Sequence, residues 1–534
     1  DPYADIYNFQ KESTRGAESV LNKTKETANG ASWNYATQWS FHPKELISFI
    51  YPYHYGLQNT QDFKKGAYWG FMSFTQSTHY LGLIPIILAI LGLITKPSKI
   101  NIFFWIVTLL TILVGFGSHL PILYKPFFNL LPFFSKFRIP SMIYILLAVS
   151  VPISAAFGLD NLIFKKDKSI FFKKVLYVSG TIATFTIFFL IFGENILSFN
   201  NSSESLRYSV GQISMLKTYS YDLFQKGLIL ALFVSGSFTF LYWVYYTKKI
   251  SKNNFYYLLL IISLIDLWII SYEFMNIKPK KNMDRLFKAN KIIDQIKDDK
   301  DYFRVFPADE LRSNKYSYWN IESIGGYRPI KLRNYEDLMN ARGFSKPQIL
   351  NMLNVKYVIT KKKINNPNFV KVDDLDGLYE NINVLPKAWL VGKVKNVKSQ
   401  RESLMETLLT GFDPSREAIV VDYKGEKIPI NVSGNIQEIT KKENEITLQV
   451  NSETGGLLIL SEIYFEPGWL ATVNGLDTKI YQTNHILRSI YVPKGKSKVA
   501  FLYNDRVFKK SRVLSRISLI IVLLGIGFFF KKID

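Results

Sequence analysis

The chain has 534 residues, too many for one ordinary domain and enough for three or four at ~100–200 residues each. It carries 66 Lys and Arg against 43 Asp and Glu, a net charge of +23, yet 48% of its residues are hydrophobic and 15% aromatic. The lack of cysteine excludes a disulfide scaffold, thiolate metal sites and a cysteine nucleophile, and the apolar runs described below argue against a nucleic-acid partner.

Residues 1–78 are turn-rich and aromatic, with Trp33, Trp39, Tyr51, Tyr53, Tyr55, Tyr68 and Trp69. Such a segment suits a headgroup interface, and equally an ordinary packed loop. It opens on Asp1 in a polar stretch, so the expectation is a fragment of a longer protein. Six apolar runs follow, at 80–95, 100–117, 141–159, 175–192, 227–246 and 255–272, and a seventh at 511–530. A helix needs ~20 residues to cross the ~30 Å hydrocarbon layer, so each run is a candidate span. The connection 118–140 holds Pro121, Pro126, Pro132 and Pro140 among Phe and Leu, a composition that fits a re-entrant or interfacial segment.

Lys and Arg concentrate in alternate connections. Lys96, Lys99, Lys165, Lys166, Lys168, Lys173, Lys174, Lys248, Lys249 and Lys252, with Lys531 and Lys532, form the dense set. The opposite loops are longer and hold only Lys125, Lys136, Arg138, Arg207, Lys217 and Lys226. The positive-inside rule puts the dense set on the cytoplasmic side of the membrane, with the C-terminus inside. Residues 276–510 then lie outside. Their first part mixes a helical pattern at 284–297 with short apolar strands near 303–306 and 356–360. From about Leu385 the pattern alternates with period two, and Asn474-Gly475 between two such runs signals a hairpin.

These readings give a polytopic α-helical membrane protein of about seven spans, with an extracytoplasmic α/β plus β-sandwich domain before the last span. The expected divisions are an extracytoplasmic aromatic-rich segment (1–78), a six-helix bundle (79–275), an α/β region (276–384), a β-sandwich (385–510) and a last helix with a cytoplasmic tail (511–534).

Short motifs in chain order carry a resemblance. They include Ser13-Thr14-Arg15-Gly16, the stretch from Tyr35 through Trp39-Ser40 followed by Glu45, and Tyr68-Trp69-Gly70. Tyr80-Leu81-Gly82-Leu83 and Phe137-Arg138-Ile139-Pro140 flank spans, and Gly325-Gly326-Tyr327 and 353–357 follow. Tyr379-Glu380-Asn381, Leu385-Pro386, Pro467-Gly468-Trp469 and Asn474-Gly475 complete the series. In this pattern the chain resembles the YfhO family of bacterial membrane proteins. It departs from that family at Lys387, where Arg is expected, and in lacking the spans that normally come first.

The resemblance implies a relative of the GT-C membrane glycosyltransferases. These use polyprenyl-phosphate sugars as donors and are linked to glycosylation of cell-envelope polymers such as teichoic acids. In that fold the catalytic carboxylate lies on the first extracytoplasmic loop. The expectation is therefore the C-terminal part of an enzyme, without that loop.

Transfer from a lipid phosphate needs a cationic clamp and a carboxylate base. Arg15 and Arg138 are the candidates for binding the lipid phosphate; interfacial snorkelling or an ion pair is the plainer account. Glu45 is a weak catalytic candidate that also reads as the mark of a helix start. Asp266 lies within a span and Glu273 shares its helical face, as a functional pathway or a structural polar pair. His42, His54, His79, His119 and His485 have no ligand spacing, so no protein-built metal site is expected, while a divalent cation shared with a lipid phosphate stays open. The run 373–377 reads as a solvated turn, lacking the alternation of a calcium loop. The competing reading is a non-catalytic membrane scaffold presenting a β-rich module that binds glycan or protein. A transporter, resting on Asp266 alone, is a third.

Overall fold

The computed structural model describes residues 9–21, 32–58, 67–73, 75, 78–95, 97–132, 134–164, 168–200, 208–275, 279–504 and 506–531. Of the charges used above for orientation, Lys96, Lys165, Lys166, Arg207 and Lys532 lie outside them. The chain divides into two compact units, a helical unit of residues 31–278 and a β-rich unit of residues 1–30 with 279–534. The stretch 1–78, read above as one segment, is thus shared between them.

All seven apolar runs are helical. In the helical unit they form α1 (Leu83–Ile94), α2 (Lys99–Gly115), α3 (Leu147–Phe164), α4 (Lys168–Ile196), α5 (Val210–Tyr246) and α6 (Lys252–Glu273). Among the described residues five helices are long and apolar enough to cross a membrane: α3 with its leading turn from Pro140, α4, α5, α6 and α7, the helix at 506–531. The other two fall short, since 12 residues in α1 rise only ~18 Å and 17 in α2 ~25 Å. Seven spans were expected; five reach the length. The expected long connection before the fifth run is also shorter, because α5 begins at Val210 and has 37 residues, ~55 Å. Its early start has a local cause. Ser209 and Gln212 form a reciprocal capping box that satisfies the first free N–H groups.

Small residues set the closest helix crossing. A Cβ on Gly158 of α3 would sit 1.9 Å from the Leu88 carbonyl oxygen of α1, and one on Gly92 of α1 would sit 2.8 Å from the Ser154 carbonyl oxygen. The two backbones therefore touch, as small-residue seams in membrane bundles allow. The Thr108 and Ser150 hydroxyls, 2.7 Å apart, tie α2 to α3. The core of the unit runs through Leu83, Ile87, Leu91, Phe224, Phe238 and Phe255.

Among its described residues the β-rich unit holds three sheets. β1 (Arg304–Pro307), β2 (Val355–Ile359), β3 (Phe369–Lys371) and β4 (Leu378–Asn381) make the first, in the order β1-β2-β4-β3. β5 (Ala388–Val391), β6 (Lys393–Val397), β7 (Glu417–Val421), β10 (Gly456–Ile463), β13 (Tyr481–Thr483) and β14 (Leu487–Val492) make the second, ordered β5-β10-β14-β13-β7-β6. The third contains β8 (Gly434–Lys442), β9 (Glu445–Ser452), β11 (Trp469–Val473), β12 (Leu476–Thr478) and β15 (Gly495–Tyr503), ordered β12-β11-β15-β9-β8. Asn474 and Gly475 both take positive φ and close the β11–β12 hairpin with Val473 opposite Leu476, the two-residue turn that such a pair favours.

Leu458, Leu460, Ile490 and Val492 of the second sheet meet Leu448, Val450, Val499 and Phe501 of the third in one apolar layer, which makes a sandwich. The opposite face of the second sheet, through Trp389, Leu457 and Ile459, joins Ile349, Leu350, Met352 and Leu404 in another core. The regions before and after Leu385 therefore share buried side chains. The helical pattern at 284–297 forms two short helices, Lys280–Leu286 and Lys291–Asp298, because Asn290 caps the second by accepting from the Ile293 N–H. A final helix, α7 (Arg506–Lys531), has no buried side chain among those described along its apolar stretch, as expected for a helix that faces lipid all round.

Candidate functional site

The candidate site lies in the helical unit, on the segments that precede α1 and α3. Ser32 caps a one-turn helix at Trp33–Ala36, and His42 caps a 3-10 helix at Pro43–Phe49 by accepting the Lys44 N–H at its Nδ1. Between them the chain is pinned. Phe41 N donates to the Gly115 carbonyl, and Ser118 N donates to Ser40 Oγ at 3.0 Å. Gly117 is required there, since its φ is +49° and a Cβ would fall 2.1 Å from Ser40 Oγ.

Pinning buries Glu45, which is only 2% exposed. Its Oε2 accepts from the Tyr68 hydroxyl at 2.9 Å and its Oε1 from the Phe71 N–H at 3.1 Å; the Tyr68 oxygen in turn accepts from Met72 N. Burial raises the Glu45 carboxyl to about 7, against the opposing pull of those two donors. A carboxyl raised toward neutrality is placed where a general base or acid works best. Beside it, His42 stacks on Phe71 with ring centroids 3.8 Å apart and meets His119 edge-on at 4.8 Å. Partial burial, with His119 and Lys44 nearby, lowers His42 below the usual imidazole range.

Arg138 occupies a separate cradle on the same unit. Its guanidinium lies over the rings of Tyr35 at 4.3 Å and Trp39 at 4.6 Å. It donates to the Tyr35 hydroxyl at 3.4 Å and to Gln38 Oε1, while its buried Nε has no partner among the described residues. Both neighbours in this cradle are strained: Trp39 has φ 59° and Ile139 has φ 66°, unusual for bulky and β-branched residues and costing about 1–3 kcal/mol each. No hydrogen bond or ion pair among the described residues joins Arg138 to Glu45 or Asp266.

Arg15 belongs to the β-rich unit. Residues 9–21 are stitched there: Thr14 N donates to the Lys331 carbonyl, and Arg333 donates to the carbonyls of Thr14 and Ala17. Ser19 and Val20 donate to the fully buried Asp337. Arg15 has a buried Nε without a partner among the described residues. Of the three residues grouped by sequence, Glu45 and Arg138 share a unit and Arg15 is in the other.

Asp266 is fully buried and accepts from the Tyr80 hydroxyl at 2.6 Å and from the Leu83 N–H at 2.8 Å. It thus caps the first residue of α1 from α6, a role that Gly82 at the N-cap cannot play. Glu273 is exposed and not part of that contact. Sequence reasoning missed the His42–Phe71–His119 cluster, whose members come from three separate segments and have no spacing signature. Among the described residues no three His, Asp or Glu side chains are grouped to hold a metal.

Residues 430–515 match the family model for the bacterial membrane protein YfhO. The match spans β8 to the first turns of α7 and includes Pro467-Gly468-Trp469 and Asn474-Gly475. Neither the curated proteins nor the solved structures contain a match to the chain. The YfhO resemblance is thus shown through the sandwich, and the apolar helices make this YfhO-like chain a membrane protein.

Proposed function

We propose that this YfhO-like chain serves in a membrane glycosyltransferase that moves sugar from a polyprenyl-phosphate donor to a cell-envelope polymer outside the cytoplasm. The observation that carries the reading is a cavity of ≈ 710 Å³ in the helical unit. It is lined by Ile86, Ile90 and Ile94 of α1 and by α4 from Ile170 to Phe189, and it reaches Ile50 and Tyr51. That stretch of α4 rises ~28 Å, close to the hydrocarbon thickness, which suits a long prenyl chain. Ile50 and Tyr51 directly follow the 3-10 helix that carries the buried Glu45 with its raised carboxyl. In this reading Glu45 takes a proton from the acceptor hydroxyl, and the unpaired Nε of Arg138 meets the donor phosphate.

The test is transfer from a labelled polyprenyl-phosphate sugar in membranes. Glu45→Gln should lower kcat by about 10²–10⁴-fold. Arg138→Gln should raise the donor KM about tenfold to a hundredfold, the loss of one charge-assisted hydrogen bond. Transfer unchanged in Glu45→Gln would remove Glu45 from the chemistry. A scaffold without catalysis is the second reading, favoured by the confinement of the family match to the β-rich unit; it predicts that both variants leave polymer glycosylation intact.

A further inference from the structure

The third sheet has an exposed apolar end where it meets α7. Val499 and Phe501 of β15 are buried in the sandwich, so Lys496, Lys498, Ala500 and Leu502 face outward, the alternation of a strand with one buried face. Leu502 pairs with Leu470 of β11, and the two are 39% and 49% exposed. Polarity changes along this face: the exposed Lys496 and Lys498 stand at the end away from α7, and the two leucines at the end beside it. Trp469 and Tyr503, paired on the same two strands with ring centroids 5.5 Å apart, complete the apolar end. Glu445, the β9 neighbour of Leu502, lies 3.5 Å from Lys442.

The junction with α7 is short and ordered. Asn504 N donates to the Gly468 carbonyl, and Asn504 Oδ1 accepts from Arg506 N at 3.1 Å. Residues 505–516 hold Arg506, Lys509, Lys510, Arg512 and Arg516 against one acid, Asp505. All five cations are exposed, and at 100° per residue they fall within about 160° of the helix circumference. The half-buried Phe508, Ser511 and Ser515 occupy the other side. A helix start favours acids, because its free N–H groups carry partial positive charge, yet the first turn of α7 has none. The cations therefore work against the helix unless anions outside the chain offset them. After Arg516 no charged residue occurs before Lys531, which sets the cluster at the edge of the hydrocarbon.

We propose that the α7 end of the third sheet docks on the surface of the membrane that α7 enters. Leu470 and Leu502 go into the headgroup layer, Trp469 and Tyr503 lie at its boundary as interfacial aromatics do, and the α7 cations bind the phosphates of anionic phospholipids. Each Lys or Arg near an anionic surface strengthens such attachment about fivefold, and salt weakens it. The docking belongs to the β-rich unit and its own helix, holds on either face of the membrane, and does not rest on sugar transfer.

The test uses the full chain, which has no cysteine, in nanodiscs of phosphatidylcholine with or without phosphatidylglycerol. A thiol-reactive fluorophore is placed at Leu470→Cys or Leu502→Cys. The controls are Leu476→Cys, an exposed leucine at the far end of the β11–β12 hairpin, and Lys496→Cys, ~20 Å along β15 from Leu502. A nitroxide lipid labelled near the headgroup should quench the first two positions and spare the controls. Phosphatidylglycerol should increase that quenching, and high salt should remove the increase. Arg506→Gln, Lys509→Gln and Lys510→Gln combined should also abolish the increase. Quenching at Leu470 and Leu502 no greater than at the controls would overturn the docking. So would shielding of these two positions from both the nitroxide and aqueous iodide, because protein would then cover them. Quenching that ignores phosphatidylglycerol, or an increase that survives the triple variant, would overturn the binding of anionic lipid by α7.

Discussion

Glu45 and Asp266 are both buried acids, and each accepts from one tyrosine hydroxyl and one backbone N–H. Asp266 lies within α6 and acts as a cap across helices for Leu83, the first residue of α1. Glu45 lies on the segment ahead of α1, where burial outweighs the two donors and its carboxyl rises from 4.5 to about 7. That shift has a consequence for stability. The folded chain holds the Glu45 proton more tightly than the unfolded chain does, so between pH 4.5 and about 7 the folded state binds more protons. Stability from this group is full below the unfolded value and falls as pH rises through the folded one, by at most about 3 kcal/mol. Glu45→Gln removes the titration. Thermal unfolding in detergent at pH 5 and pH 8 should show wild type losing Tm relative to the variant at the higher pH. An equal Tm difference at both values would mean that the carboxyl is not raised.

Among the elements, the α1–α3 crossing is the most sharply defined. Gly158 and Gly92 allow backbone contact, and Asn161 Nδ2 donates to Thr95 Oγ1 at 2.9 Å near its end. A methyl group at Gly158 would meet the Leu88 carbonyl at 1.9 Å, which side-chain rotation cannot relieve because the obstacle is backbone. Gly158→Ala should therefore separate the helices and destabilise the helical unit by about 1–3 kcal/mol, within the range for overpacking. Gly180 of α4 has open space around its would-be Cβ, so Gly180→Ala is the matched control and should be neutral or slightly stabilising. Comparable unfolding of the two variants would show that the crossing is looser than described. Element type was readable here from apolar run length and period. Helix ends were not, since α5 was extended by a capping box in a polar stretch.

For the whole molecule, orientation in the membrane is the first property to test. The lysine asymmetry predicts that the β-rich unit is extracytoplasmic and that the α5–α6 connection is cytoplasmic. The chain has no cysteine, so single substitutions report cleanly. Lys479→Cys should react with a membrane-impermeant maleimide on intact cells, and Lys249→Cys only after permeabilisation. Both positions are exposed in the fold. The reverse pattern would put the Glu45 and Arg138 segments in the cytoplasm and end the envelope reading.

The sequence by itself determined where the apolar helices lie, because hydrocarbon requires long uninterrupted apolar runs with no polar backbone left unpaired. It also determined the alternating strands and the Asn474-Gly475 turn, since one buried face imposes period two and positive φ restricts residue choice. Tertiary structure alone decided which charges are alone and which are matched. Asp266 meets Tyr80 from 186 residues away, His42 meets His119, and Glu462 is shared by Arg304 and Lys387, while Arg488 Nε and Nη1 have no hydrogen-bond partner among the described residues. Burial and partner geometry set those outcomes, and both arise from contacts between segments that no local pattern connects.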